Sequence, residues 1–561
     1  MAVPDDPRAT IRAYHERTCH QPSAWARALG YLDWDSQPNP FRRYQGAPLV
    51  ALELVPAGDL PGYELAFREG GLLPVPVDRR SVSQLFMDSL ALSAWKEAEG
   101  NRWSLRVNPS SGNLHPTEGY LVSGAVPGLS DAPAVYHYAP HEHALERLVD
   151  LPEWGRLAGD LPRGAMLVGL TSIPWRESWK YGERALRYCQ HDLGHAVAAV
   201  AVAAAGLGWA TRLLDGPSSA SIAALLGVAR QSGPEAEVPE CLLAVYPAGG
   251  VFPAEQQRHV RLPRPSGPWA GVPAVLSPEH VDWPVIGAAE AATRRDVPPP
   301  AEWWWSERAE NTSLRFDVSP PMLRRIVHGR RSAVDLDGRT GMTREDFYQI
   351  LLKCVPGEGQ VPFSTLPWRP CVHLGLFVHR VGDLEPGLYL LVRDAEAVTA
   401  LRAWTKPGFL WARPDGCPAS LQLFRLSEGD CRGLASRVSC GQAIAGDGAF
   451  AVAMLAEYAQ PIARWGAWHW RRLHWEAGAI GQVLYLEAEA TGVRGTGIGC
   501  FFDADAGAVF GSPDDRFRSI YHFTVGGPVD DLRLRTLEPY GHLTTGATTS
   551  LPAPSGVMAP G

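Results

Sequence analysis

Two kinds of short stretch carry residue types able to hold a polar, phosphorylated ligand. In Arg106-Val-Asn-Pro-Ser-Ser-Gly-Asn-Leu-His-Pro-Thr-Glu-Gly-Tyr120, two hydroxyls, an amide and a glycine stand between prolines. Such a run is no helix: Pro109 and Pro116 lack N–H groups, Ser110, Ser111 and Asn113 favour side-chain to backbone bonds, and Gly112 admits a positive φ. The pattern predicts a turn that leaves several N–H groups for a planar polar ligand, with an ordinary surface turn ahead of the strand Tyr120-Leu-Val-Ser as the competing reading. Arg79-Arg80-Ser81 and Arg330-Arg331-Ser332 each combine two guanidinium groups with a hydroxyl. That set suits phosphate through bidentate charge-assisted bonds, and it is also common on surfaces.

The stretch Asn108-Pro-Ser-Ser-Gly-Asn-Leu-His-Pro116 resembles the Pro-Ser-Ser-X-Asn turn of nitroreductase-like flavoenzymes, which lies against the flavin. Lys180-Tyr-Gly-Glu-Arg-Ala-Leu-Arg-Tyr188, followed by Asp192-Leu-Gly-His195, resembles the SagB-type azoline dehydrogenases of that superfamily. The similarity runs over residues 60 to 260 and returns more faintly from 320 to 540. It implies FMN as the cofactor. By the same resemblance Arg330, Arg331 and Ser332 hold the phosphate and ribityl chain, Gly497, Ile498 and Gly499 flank the ring, and Arg533 and Arg535 stand behind. Pro109, Ser110, Ser111 and Asn113 would reach across from the other half, and Lys180 with Tyr181 would be the catalytic pair beside the flavin. A lysine next to a tyrosine at a partly dry site either lowers the phenol's pKa or is itself pushed toward neutrality, giving a base for a C–H or N–H proton. The alternative is a lysine on the first turn of a helix with its neighbour packed in the core.

The elements that must position these residues follow in chain order. Residues 1 to 60 read as an arm, helical around Ile11 and then rich in proline and aromatics; His15, Cys19 and His20 on it are read as exposed polar residues and not a metal site. A helix is expected over Met87 to Ala98, strands at Val135 to Tyr138, Ala165 to Leu170 and Leu242 to Tyr246, and a long helix from Tyr181 to Ala205, apolar nearly all round in its second half and so enclosed. Residues 256 to 318 form a Pro-rich linker whose Trp303, Trp304 and Trp305 are read as packed side chains. The second half restates the first: a short helix at Met322 to Val327, Arg330 to Ser332 answering Arg79 to Ser81, a helix from Thr343 to Cys354, strands at His373 to Val378, Gly387 to Val392 and Ala449 to Leu455, and a helix from Leu473 to Gly492.

The expected architecture is therefore α+β: two tandem nitroreductase-like domains, 61–255 and 319–545, each a central antiparallel or mixed sheet flanked by helices, forming a pseudo-dimer within one chain, with a tail from 546 to 561. The halves have diverged in complementary ways. The second reads Phe363-Ser-Thr-Leu-Pro-Trp-Arg-Pro370 where its serine turn should stand, and Arg464-Trp465 where Lys180-Tyr181 stands in the first, while the first ends at Pro247-Ala-Gly-Gly-Val-Phe without an arginine pair. One complete site is expected, assembled from both.

Composition bounds the partners. The 561 residues, 45% hydrophobic and 20% charged, are enough for more than one core, and a net charge of −8 without a Lys/Arg-rich run argues against nucleic acid and acidic membranes. Nine scattered cysteines without a Cys-x-x-Cys pair, and a start lacking a basic and an apolar leader region, imply a reducing, cytoplasmic setting. The leading expectation is an FMN-dependent oxidoreductase of the SagB type, oxidising a heterocyclic small molecule or peptide. The alternatives are an NAD(P)H-dependent nitro or quinone reductase, with NAD(P)H or oxygen as redox partner, and a non-catalytic flavin-binding or scaffold subunit.

Overall fold

Runs buried at every position build the centre of each half. Met166–Ser172 and Val372–Val378 expose no residue on either face, as interior strands covered on both sides must. In the computed structural model, which describes residues 6–56, 58, 60–305, 321–512 and 514–544, these strands sit in two antiparallel sheets. The expected tail at 546–561 and the linker residues 306–318 lie outside the described residues.

The front sheet runs Leu49–Ala51, Ala144–Asp150, Ala134–Ala139, Thr117–Ser123, Met166–Ser172, Val238–Pro247, Trp209–Leu213. The rear sheet runs Leu423–Glu428, Gly387–Leu391, Val372–Val378, Phe450–Glu457, Phe517–Gly526, Arg494–Ile498. Apart from the added edge strand Leu49–Ala51, the two follow one order and one connectivity. In each, a long helix, Ala185–Ala205 or His469–Ala490, links the same two strands. The chain is an α+β protein containing the same unit twice.

The long helices lie against each other at the centre, and one apolar core of buried residues runs through both units, from Leu193 and Val197 to Trp475 and Ile480. Two glycines permit this. A Cβ on Gly194 would stand 2.2 Å from the Trp475 carbonyl oxygen, and one on Gly478 would stand 2.1 Å from that of His191. The outer face of each sheet buries a separate apolar cluster against its own helices, the front around Leu225 and Tyr246 and the rear around Phe377 and Phe510.

Several local expectations need correction. Leu92–Ala98 is a strand, not the second part of a helix over Met87 to Ala98. The helix is Arg79–Met87, capped by Asp78, and a tight turn with positive φ at Glu99 and Gly100 folds Leu92–Ala98 onto Asn101–Arg106. Cross-strand pairing there overrides the helix propensity of Ala, Lys and Glu. The helix expected from Tyr181 is broken: Pro174–Tyr181 ends at Gly182, and Ala185–Ala205 follows after one turn. Gly182 has φ +55, and a Cβ there would meet the Arg27 carbonyl oxygen at 2.4 Å, so the docked N-terminal arm forces the break. Nor is Arg79-Arg80-Ser81 the counterpart of Arg330-Arg331-Ser332: the former opens a helix, whereas the latter follows one, Leu323–Gly329, that ends at Arg330.

Inside the front sheet, His137 is buried between Glu146 and Glu118, its Nδ1 and Nε2 each 2.9 Å from a carboxylate, and Glu118 also pairs with Arg176. Burial disfavours the imidazolium, but the two carboxylates outweigh it and raise its pKa to about 9. A folded pKa above the unfolded one contributes stability that is full below pH ~6.5 and lost as pH rises. Thermal unfolding midpoints should therefore fall between about pH 6.5 and pH 9 in the native chain, and His137→Gln should flatten that slope; an unchanged slope would contradict the charged triad.

No described helix is long and apolar enough to cross a membrane.

Candidate active site

The serine turn is fixed from below by the first long helix. Both the backbone N–H and the hydroxyl of Ser111 donate to Asp192 Oδ1, each at 3.0 Å. Ser110 Oγ accepts from the His115 N–H at 2.8 Å, and the Asn113 amide donates to the Ser104 carbonyl at 2.8 Å. The N–H groups of Ser111, Asn113, Leu114 and His115 are thus used within the fold, against the expectation that several would face a ligand. Asp192, a buried carboxylate of the same half, takes the Ser111 N–H and hydroxyl, and the Ser110 and Ser111 oxygens of the turn itself take the other three. Pro109 is buried, while residues 110–113 are half-buried and present one edge outward.

Gly112, with φ +58, comes so close to Tyr181 that a Cβ would stand 2.5 Å from the phenol oxygen. The Tyr181 ring packs on Tyr188 at 4.4 Å between centroids, and the Tyr188 hydroxyl donates to the Gly499 carbonyl at 3.2 Å. Serine turn, Lys180-Tyr181 and the rear Gly497–Gly499 segment are therefore joined by successive contacts across the seam between the units. A second bridge runs beside it. The Arg330 guanidinium donates to the Val107 and Arg106 carbonyls at 3.2 and 3.1 Å, on the strand leading into the serine turn, and lies over the Tyr485 ring at 5.0 Å. The Tyr485 hydroxyl is 2.9 Å from Ser332 Oγ and accepts from the Gly497 N–H at 3.0 Å. Arg331 donates to the Ser93 carbonyl at 3.3 Å, again in the front unit.

The structure thus brings together Pro109 to Asn113, Lys180, Tyr181, Arg330, Arg331, Ser332, Gly497 and Gly499. Ile498 points into the rear core and offers only backbone. Arg533 and Arg535 are not brought in: they are 78% and 73% exposed in their side chains and pair with Asp531 and Glu97 at the surface. Asp192, Glu177, Tyr188 and Tyr485, which lie among these residues in the structure, were not singled out from sequence. For Asp192 the signal was present, in the Asp192-Leu-Gly-His195 match; Tyr485 had none, because its role depends on the crossing of the two helices.

Electrostatics divide the seam in two. Arg331 is half-buried with its pKa lowered to about 10, by burial and then by the neighbouring Arg330, and Arg494 adds to this. Lys96 is lowered by burial and by the same arginines. Glu489 is the acid facing Arg331, and Asp530 pairs with Arg494 at 2.7 Å. At the other end, burial lowers Lys180 against the pull of Glu177, and burial raises the Tyr181 phenol well above its ordinary value. Of the two sequence expectations, the lysine pushed toward neutrality holds and the acidified phenol does not. Beneath them lie two buried carboxyls: burial raises Asp192 to about 7, and burial together with the neighbouring Asp192 raises Glu177 well above the usual carboxylate range.

The N-terminal arm closes the far side of the seam. Asp503 of the rear unit takes Arg187 at 2.5 Å, Arg184 at 3.1 Å and the His20 N–H at 2.9 Å, all buried. His15, Cys19 and Asp503 have atoms within 4.8 Å of one another, a spacing a metal could use, but both carboxylate oxygens are already committed to arginines and two guanidinium charges oppose a cation. Asp503→Ala would leave those charges buried and unpaired and should cost about 3–5 kcal/mol; denaturant unfolding showing a loss below about 1 kcal/mol would contradict this pairing.

Comparison with known proteins supplies the fold. No family model matches the chain, and no curated protein matches it. Among solved structures, a protein of Anabaena variabilis provisionally assigned as a nitroreductase superposes with a TM-score of 0.68 at 22% identity, covering 93% of this chain and 99% of its own. The fold is nitroreductase-like. The match spans both units of this chain. The E. coli microcin synthetase McbBCD complex with truncated pro-MccB17 bound is similar at 16% identity over 43% of this chain and 93% of that one, with a TM-score of 0.26. A protein of Ralstonia eutropha, also provisionally assigned as a nitroreductase, is similar at 14% identity over 40% and 97%, with a TM-score of 0.26.

Proposed function

We propose that this chain is an FMN-dependent oxidoreductase with one flavin site along the seam, acting as a SagB-type dehydrogenase on a heterocycle such as a peptide thiazoline or oxazoline. The observation that carries the reading is the reach of Arg330 from the rear unit to the carbonyls of Arg106 and Val107, beside the serine turn that only the front unit retains. Each unit keeps what the other has lost, and the surviving parts adjoin. The domain limits 61–255 and 319–545 are proposed with this reading.

The residues present fit the cofactor. Among the described residues, Arg330 Nη1, Asn108 Oδ1 and Ser93 Oγ are buried without a partner, and polar atoms so buried are costly unless something satisfies them. Arg331, Ser332 and Lys96 form a cationic, hydroxyl-bearing end suited to a phosphoryl group. Lys180, Tyr181 and residues 110–113 are half-buried and would line the ring. Bound there, FMN would supply the two-electron redox step. Lys180, with its pKa lowered, is fitted to take a proton from the substrate, and Tyr181, held as neutral phenol, is fitted to donate a hydrogen bond. Asp192 orients the serine turn, and Glu177, its pKa raised by burial, keeps a proton near the lysine.

Mixing the yellow protein anaerobically with a thiazoline-containing peptide should bleach its flavin absorbance, and oxygen should restore it. Bleaching by NAD(P)H alone, with the peptide inert, would assign the reductase chemistry instead. A colourless protein that does not take up FMN would overturn both.

A further inference from the structure

Next to the seam, the segment that carries Gly497–Gly499 runs on into Cys500, and a turn after helix Arg432–Val438 presents Cys440 to it. The Phe502 N–H donates to the Val438 carbonyl at 2.8 Å. Two residues on from Val438 and two back from Phe502, Cys440 and Cys500 are neighbours, each thiol acting on the other's ionisation. The Gln442 amide ties the two segments by donating at 3.0 Å to both the Ser439 and the Cys500 carbonyls. Cys440 is held at φ +56, an unusual conformation for a residue with a side chain and one that the surrounding contacts must maintain. Both cysteines are half-buried, open to a small reagent yet sheltered from bulk solvent.

We propose that Cys440 and Cys500 are a redox-active dithiol that reduces low-molecular-weight disulfides and closes reversibly to a disulfide at the rim of the seam. The Cys500 thiolate attacks one sulfur of the small disulfide, forming a mixed disulfide and expelling one thiolate. The Cys440 thiol then loses its proton to solvent and attacks Cys500 Sγ, expelling the second thiolate. One small disulfide becomes two thiols as the protein pair is oxidised, and no other oxidant is needed. Cys500 is the attacking member because its environment favours the thiolate. Contact with Cys440 comes first and the charge of Arg184 helps, against burial and Asp503, whereas the cysteines outside this pair have their pKa raised. Arg184 also donates to the Gly499 carbonyl at 3.1 Å, one residue away.

The inference rests on the thiol pair and not on the flavin. Full-length protein, first reduced, would be incubated with oxidised glutathione, alkylated, and measured by intact and peptide mass spectrometry. The expected product has lost about 2 Da, carries a Cys440–Cys500 cross-link, and returns to the dithiol with reductant. Cys440→Ser should instead accumulate a stable glutathione adduct on Cys500, and Cys500→Ser should neither cross-link nor take up glutathione at Cys440 at a comparable rate. Wild-type protein in which both cysteines remain alkylatable, or in which glutathione stays on Cys500, would overturn the proposal without touching the flavin reading, which colour reports separately.

Discussion

Gly478→Val should yield no soluble native chain, and Gly478→Ala should cost more than about 3 kcal/mol although alanine favours helix by up to about 1 kcal/mol. The reason is backbone contact between the long helices. A Cβ on Gly478 would stand 2.1 Å from the His191 carbonyl oxygen and 2.8 Å from the Gly194 Cα, and neither is the movable end of a side chain. The helices would have to separate, opening the shared core that includes Leu193, Val197, Trp475 and Ile480. Gly194→Ala should behave alike, because its Cβ would strike the Trp475 carbonyl oxygen at 2.2 Å. Gly507→Ala is the matched control: it too lies in a helix but has nothing within 4 Å of its added carbon, so it should be neutral or slightly stabilising. Denaturant melts of the three variants read this directly. Equal midpoints would mean that the two units do not close on each other as described.

Lys180→Met should lower the rate of substrate oxidation by roughly 10²- to 10⁴-fold while leaving the protein yellow. Methionine keeps most of the stem and removes the charge, so packing under Tyr181, over whose ring the ammonium lies at 5.3 Å, is largely retained. The native enzyme should gain activity as pH rises through the lysine's own pKa, which burial holds below the usual lysine range, because only the neutral amine accepts a proton. Lys180→Met should lose that limb of the profile. Tyr181→Phe should also slow turnover without loss of colour, by a smaller factor. A Lys180→Met enzyme with native rate and native pH profile would remove the lysine from the chemistry.

The sheets were legible because their strands are buried on both faces and read as unbroken apolar runs, as Met166–Ser172 and Val372–Val378 do. Leu92–Ala98 was not, because its residues favour helix alone and are strand only when Asn101–Arg106 and Arg535–Leu537 pair with it, one of them from the far end of the chain. The break at Gly182 was hidden for a similar reason: it depends on the docked Arg27. In the candidate site, motif resemblance found the serine turn, the lysine and tyrosine, and the rear arginine pair. It could not reveal that the turn's donors are consumed by Asp192 and by the turn itself, that Arg533 and Arg535 stay at the surface, or that Tyr485 joins Arg330, Ser332 and Gly497. Those facts arise from how two helices cross, which no local pattern encodes.

The central claim is that two unequal units pool their remaining parts into a single cofactor site, and counting flavin released from the purified chain tests it most directly. The account predicts about one FMN per chain, with affinity falling roughly 10- to 100-fold both in Arg331→Ala and in Ser111→Ala/Asn113→Ala, although these residues belong to opposite units. Two FMN per chain, or retention unchanged when either unit's residues are removed, would contradict it.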